Sequence, residues 1–214
     1  EVSDPSIRMS LRILMNMLSS GYVSNPRFMS IAGLKAINLT LEGGVCQEAT
    51  FPFPVWGLLL AALFQDYTGA YGFGLLGLHF IKRFNDPSNR SNSLFVFGNF
   101  INHWKCHIRY NIDYLKDAFT SGIETGDFVY AAFSATSLAR YFLSYGHDAL
   151  DHVLLETEKT MSFFMKSGNS ASMERQKLMQ AVILSLQGKT EKTSSLNNPE
   201  FDEDKHINDM KSIR

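Results

Sequence analysis

From Ile7 to Leu186 the apolar residues recur at helical spacing, and Gly, Pro and Asn cut that pattern into short segments. Ile7, Leu11, Leu14, Met15 and Leu18 fall on one stripe of a helix over residues 6–18. Asn25-Pro26 opens a second helix, because Pro is tolerated in a first turn, and Gly43-Gly44 ends it. Residues 47–54 read as a loop in which Pro52 and Pro54 fix the backbone. Further helices are expected over residues 55–64, 70–84, 91–104, 109–120, 128–143, 148–165 and 169–186, with breaks at Gly69, Pro87, Gly126, Gly146 and Gly168.

These segments cannot stand alone. Phe73, Leu75, Leu76, Leu78, Phe80 and Ile81 place apolar groups on more than one side of a single helix. One hairpin of such helices cannot bury both faces, whereas stacked hairpins shield one another. Tyr71, Tyr110 and Leu150 recur about every 39 residues, inside the range of roughly 34 to 47 that two-helix repeats occupy. Gly57, Ala61, Gly74, Gly77, Gly98, Ala131 and Ala135 sit inside the expected helices. Each helical Gly costs about 1 kcal/mol relative to Ala; close approach of neighbouring helices is the expected return. The expectation is an all-α fold of about nine or ten helices, stacked as antiparallel hairpins into a right-handed, tetratricopeptide-like superhelix. Residues 1–188 form the repeat domain of about four to five helix pairs. Residues 189–199 read as a polar loop, and residues 200–214 as the start of a further helix in an array that continues beyond the chain.

Composition excludes several function classes. A hydrophobic fraction of 45% suffices for a core, and a net charge of −1 gives no footprint for nucleic acid or an anionic membrane. The two cysteines, Cys46 and Cys106, form no disulfide framework and fit a reducing compartment. The most apolar run, residues 55–64, is about ten residues long, too short to span a bilayer. The chain is expected to be soluble and cytoplasmic.

The candidate motifs carry little chemistry. Gly188-Lys189-Thr190 resembles the end of a phosphate-binding loop, but Ile183 stands where that loop needs Gly, and a helix precedes it instead of a strand. His103 and His107, with Cys106 between them, are spaced to share a metal on one helix face, with Cys46 or His79 as conceivable further ligands. No Glu stands beside His103, and the reading takes the pair as hydrogen-bonded histidines at a helix end, with no metal and no cofactor. His147-Asp148 pairs a His with an acid, yet Ala149-Leu150-Asp151 follows in place of a phospho-accepting box. Seventeen Phe, eight Tyr and two Trp at helical spacing read as core. Asn99, Asn102, His103 and Arg140 are the candidate contacts of a concave binding face.

Several segments together carry a resemblance: 33–42 (GLKAINLTLE), Gly57 through Leu60, Phe97 through His103-Trp104-Lys105 and His107, and 121–127 (SGIETGD). Over roughly residues 25–188 the chain resembles the tetratricopeptide-like region that follows the ATPase domain in large bacterial signalling proteins. Those proteins join a serine/threonine kinase-like domain, an AAA-type ATPase, this region, often a GAF domain, and a sensor histidine kinase. The resemblance implies a non-catalytic scaffold or sensor that engages neighbouring domains of a parent kinase/ATPase, or a protein partner. The alternatives are a stand-alone peptide-binding adaptor and, further off, a helical enzyme.

Overall fold

The computed structural model describes residue 2, residues 4–146 and residues 149–212. Among them lie ten α-helices: α1 (Pro5–Ser24), α2 (Pro26–Gly43), α3 (Pro52–Phe64), α4 (Tyr67–Phe84), α5 (Arg90–Val96), α6 (Arg109–Thr125), α7 (Phe128–Tyr145), α8 (Leu150–Ser167), α9 (Ser170–Leu186) and α10 (Glu203–Ser212). The described residues hold no strand, only an isolated bridge between Asn198 and Phe201. The fold is all-α, with helices packed in neighbouring pairs: α1 on α2, α3 on α4, α5 on α6, α8 on α9. No helix among the described residues is long and apolar enough to cross a membrane. The chain divides into two compact units, residues 1–134 and 135–214, and the division falls inside α7.

Local chemistry sets the helix ends. Asp4, Asn25 and Asp66 accept the amides of Ser6, Phe28 and Gly69, satisfying first-turn donors. Pro26 and Pro52 take first-turn positions, where a missing N–H costs nothing. That is why α3 begins at Pro52, inside the segment expected to be a loop; only Gln47–Ala49 ahead of it forms a 3-10 turn. The break expected at Gly69 falls instead at Gln65-Asp66, and Gly69 lies within α4. Gly122 is also interior to its helix; the stop is Gly126, whose φ of 78° favours glycine.

The interior glycines mark contacts, not breaks. A Cβ on Gly57 would stand 2.7 Å from the Ala70 carbonyl, one on Gly74 2.5 Å from the Phe97 ring, and one on Gly98 2.7 Å from Tyr114 Cβ. A Cβ on Gly77 would collide with Pro54. So α3 and α4 press together at Gly57, Gly74 meets the ring of Phe97, and Gly98 lets the backbone after α5 approach α6. That backbone widens into a π-helical turn at Phe97–Ile101 and tightens into a 3-10 turn at Asn102–Trp104. Phe97, Ile101 and Leu115 are fully buried around it. A second cluster gathers Leu11, Ala36, Ile37, Ala49, Phe53 and Phe80.

In the second unit Val153, Phe164, Ala181 and Ile183 are buried. A polar seam runs between α8 and α9: Gln176 Nε2 donates to the Thr157 carbonyl (3.3 Å) and Thr160 Oγ1 (3.0 Å), and Gln180 Nε2 donates to Thr157 Oγ1 (3.0 Å). The segment ahead of α10 is ordered by Glu203, which accepts from Ser195 Oγ (3.1 Å) and the Leu196 amide (3.0 Å). Phe201 is buried there, 5.1 Å from the His206 ring.

Gly74→Ala is expected to destabilise the protein by roughly 1–3 kcal/mol, because Phe97 must move to admit a methyl group. Gly72→Ala, two residues away with nothing within 4 Å of its Cβ, is expected to stabilise it by about 0.5–1 kcal/mol. Urea midpoints of the two variants that move in the same direction would contradict the close-approach reading.

Candidate functional site

Asn99, Asn102 and His103 come together in the π and 3-10 turns after α5. Asn99 and Asn102 are buried. Asn102 Nδ2 donates to Asn111 Oδ1 at 2.7 Å, and Asn111 Nδ2 lies 3.4 Å from His103 Nδ1. This amide chain ties the irregular turn to α6. Trp104 donates its indole N–H to the Phe100 carbonyl (3.1 Å) and stacks on Tyr67 with ring centroids 4.2 Å apart. Arg140 belongs to the other compact unit, is exposed, and sits 5.5 Å from the centroid of the Tyr141 ring.

The metal candidates have separate hydrogen-bond partners. His107 Nδ1 accepts the Arg109 amide (3.2 Å), while the Cys106 thiol lies 3.4 Å from the Tyr71 hydroxyl. That hydrogen bond, with some burial, pushes the Tyr71 hydroxyl up to about 12. Among the described residues no group of three or more His, Cys, Asp and Glu side chains is gathered to hold a metal. Both cysteines are free. Gly188 follows the end of α9 with φ 71°, and the Lys189 amide bonds back to the Leu184 carbonyl at 2.8 Å, so Gly188-Lys189-Thr190 is a helix stop. His147-Asp148 lies outside the described residues.

A polar concavity lies elsewhere in the first unit, where helix ends converge. Asn85, in the left-handed region, closes α4 and turns the chain inward at Asp86. Asp86 is 1% exposed and accepts five hydrogen bonds. They come from Thr50 Oγ1 (2.9 Å), Gln47 Nε2 (3.1 Å), Asn89 Nδ2 (2.6 Å) and the amides of Ser88 (3.1 Å) and Asn89 (3.4 Å). Every donor is neutral. The carboxylate thus joins the turn before α3 to the turn before α5. Ser91 Oγ donates to the Ala118 carbonyl at 2.8 Å and fastens α5 to α6.

Over this junction opens a cleft of about 580 Å³. Arg12 and Asn16 of α1 form one wall; Gln47, Glu48, Ser88, Asn89 and Asn92 line the middle; Thr125, Asp127 and Tyr130 contribute the turn between α6 and α7. Glu48 is held by Arg8 through two bonds of 3.1 and 3.0 Å. Burial pushes its carboxyl up, but the bonds from Arg8, its own amide and Cys46 prevail, and the net shift is downward. Asp127 moves the other way: burial raises it, only partly offset by the Tyr130 amide at 3.3 Å. Among the described residues neither Arg12 nor Asp127 has an ion-pair partner. The cleft therefore presents amide groups that both donate and accept, the cation of Arg12, the Glu48 carboxylate already paired with Arg8, and the Asp127 carboxylate.

Asp127 in the cleft and Asp86 beneath it stand at helix breaks visible in the sequence, Gly126-Asp127 and Asn85-Asp86-Pro87. Both read as punctuation there, and neither is marked as a site by type or spacing. Arg12, Asn16, Asn89 and Asn92 carried no spacing signal.

The chain is an all-α protein of paired helices carrying a polar cleft. Over 188 residues, 87% of its length, it is 24% identical to the "Hybrid signal transduction histidine kinase G" of Dictyostelium discoideum. The match covers 5% of that protein's length, so the chain is similar to a small segment of a much larger protein. That protein is named for signal transduction. It comes from Dictyostelium and so does not carry the bacterial setting of the expected resemblance. No known protein family matches the chain, and no solved structure does.

Asp86→Ala is expected to cost roughly 2–3 kcal/mol of folding stability, since it strands donors that served a charged acceptor; a urea midpoint within error of wild type would refute the junction. The Glu48 shift carries its own sign. A carboxylate lowered in the folded state contributes stability above its unfolded value and loses it as pH falls through the folded one. The stability gap between wild type and Arg8→Ala should therefore be open near neutral pH and close on acidification below the ordinary carboxylate range. A gap that is independent of pH in denaturant titrations would contradict it.

Proposed function

We propose that this chain is a non-catalytic, tetratricopeptide-like scaffold segment of a multidomain signal-transduction protein, and that its polar cleft holds an extended protein segment. The observation that carries the reading is the cleft lining. An extended backbone presents N–H and C=O groups in alternation, and Asn16, Gln47, Asn89 and Asn92 supply side-chain amides able to answer both. Repeat arrays bind extended segments in this manner, with rigid helices holding the polar groups in place.

The signalling context is supported by the likeness to a hybrid histidine kinase. In this reading the scaffold stands between an ATPase domain and a histidine kinase domain, works in the cytoplasm, and restrains its neighbours until the cleft is filled or emptied. The free cysteines agree with a reducing compartment. A stand-alone adaptor, binding an outside partner without regulating anything in its own chain, is the second reading, supported by the same cleft.

One experiment separates them. Deleting residues 25–188 from the longer protein is expected to change its autophosphorylation, and a photo-crosslinker at the exposed Asn16 is expected to trap a segment of the same chain. Unaltered autophosphorylation with an adduct to a separate protein would favour the adaptor. Unaltered autophosphorylation without an adduct would sink both.

A further inference from the structure

The charges around the cleft do not balance, and the imbalance has a location. Glu48 is neutralised by Arg8. Asp86 lies just beneath the Ser88–Asn89 wall, fully buried, and all five of its donors are neutral, so its negative charge is spread but not cancelled. Asp127 faces the same cleft, half-buried; its carboxylate accepts the amide of Tyr130 in the first turn of the helix that follows, and it has no ion-pair partner among the described residues. Against these two carboxylates the lining sets one cation, Arg12, on the α1 wall.

A half-buried carboxylate without a counter-charge is costly in the empty cleft, and the cost is removed when a cation arrives. The walls on either side are neutral amides, whose carbonyl oxygens are further acceptors for N–H groups. The volume of about 580 Å³ lies within the range of small-ligand sites and admits a long side chain with its flanking backbone.

We propose that the cleft selects its protein segment by a basic side chain, arginine in preference to lysine, seated against Asp127 with its backbone along Asn89 and Asn92. The inference rests on the protein-binding reading above and adds the specificity to it. A planar guanidinium pairs both oxygens of a carboxylate and still has donors left for neighbouring amide oxygens, which an ammonium matches less well. Asp127 is the recognition group; Asp86 supports it at a distance and keeps the Asn89 wall in place. Arg12, on the far wall, turns away a second basic group and so fixes the direction in which the segment lies.

Asp127→Asn tests this cleanly, because Asn caps a helix as well as Asp does and the start of α7 should keep its stability. The whole chain is used to select binders from a random displayed peptide library, with Asn16→Trp as a plug that identifies cleft binders. Recovered cleft peptides are expected to carry Arg or Lys at a fixed position. Replacing that Arg by citrulline should weaken binding roughly tenfold or more, and Asp127→Asn should weaken the parent peptide equally while leaving the citrulline peptide unaffected. Cleft peptides without a basic residue, or peptides indifferent to Asp127→Asn at unchanged Tm, would overturn the specificity and leave the protein-binding reading standing. A selection yielding no peptide sensitive to Asn16→Trp would overturn both.

Discussion

The first unit depends on a carboxylate whose five hydrogen-bond donors are all neutral. Asp86 is buried between two inter-hairpin turns and accepts from Thr50, Gln47, Asn89 and the backbone ahead of α5. Hairpins in a stack are held by apolar faces that could slide or rotate over one another; a directional, charge-assisted junction at the turn end removes that freedom. The cleft exists because of this. Its middle wall is the same Ser88–Asn89 backbone that Asp86 draws inward, and Gln47, donating to Asp86 from below, also lines the opening. The junction and the cleft share residues.

The helices reach each other through missing side chains. Gly57, Gly74, Gly77 and Gly98 let backbone meet backbone, ring or proline where any Cβ would collide. The π turn after α5 follows from the same crowding: with Phe97 against Gly74 and Gly98 against Tyr114, the extra residue of a wide turn is accommodated without lifting α5 from its neighbours. The second unit is built differently. It relies on Thr157, Gln176 and Gln180 across α8 and α9, so its pairing is partly polar.

Much of this was legible in the sequence because helix period, caps and stops are local. Asn25-Pro26, Asn85, Gly126, Gly146 and Gly168 act where they were expected to, and the interior glycines mark close packing as the apolar helices around them implied. The failures were also physical. Pro52 looks like loop punctuation, yet Pro is equally a first-turn residue, and the choice depends on what packs behind it. The helix expected to end at residue 120 runs on through Gly122 to Thr125, and a Cβ at Gly122 would meet Ser91 Oγ and Ala131 Cβ, a contact the local pattern does not show. The cleft was invisible for the same reason. Arg12, Asn89 and Asp127 are ordinary polar residues whose meaning comes only from folding into one concavity, whereas His103 and Cys106 attract notice by type and lie against Asn111 and Tyr71.

A fold fastened by absent side chains is forgiving in an unusual way. At Gly57, Gly74 and Gly98 the constraint is on size alone and permits almost no substitute, while the neighbouring outward positions, Leu75 and Leu76 among them, are free to vary. Descendants of such a chain can exchange most of their letters and keep the same hairpins. A change at one of these glycines would have to be met by a change in Ala70, Phe97 or Tyr114 across the contact, whereas a change at an outward leucine asks nothing of its neighbours.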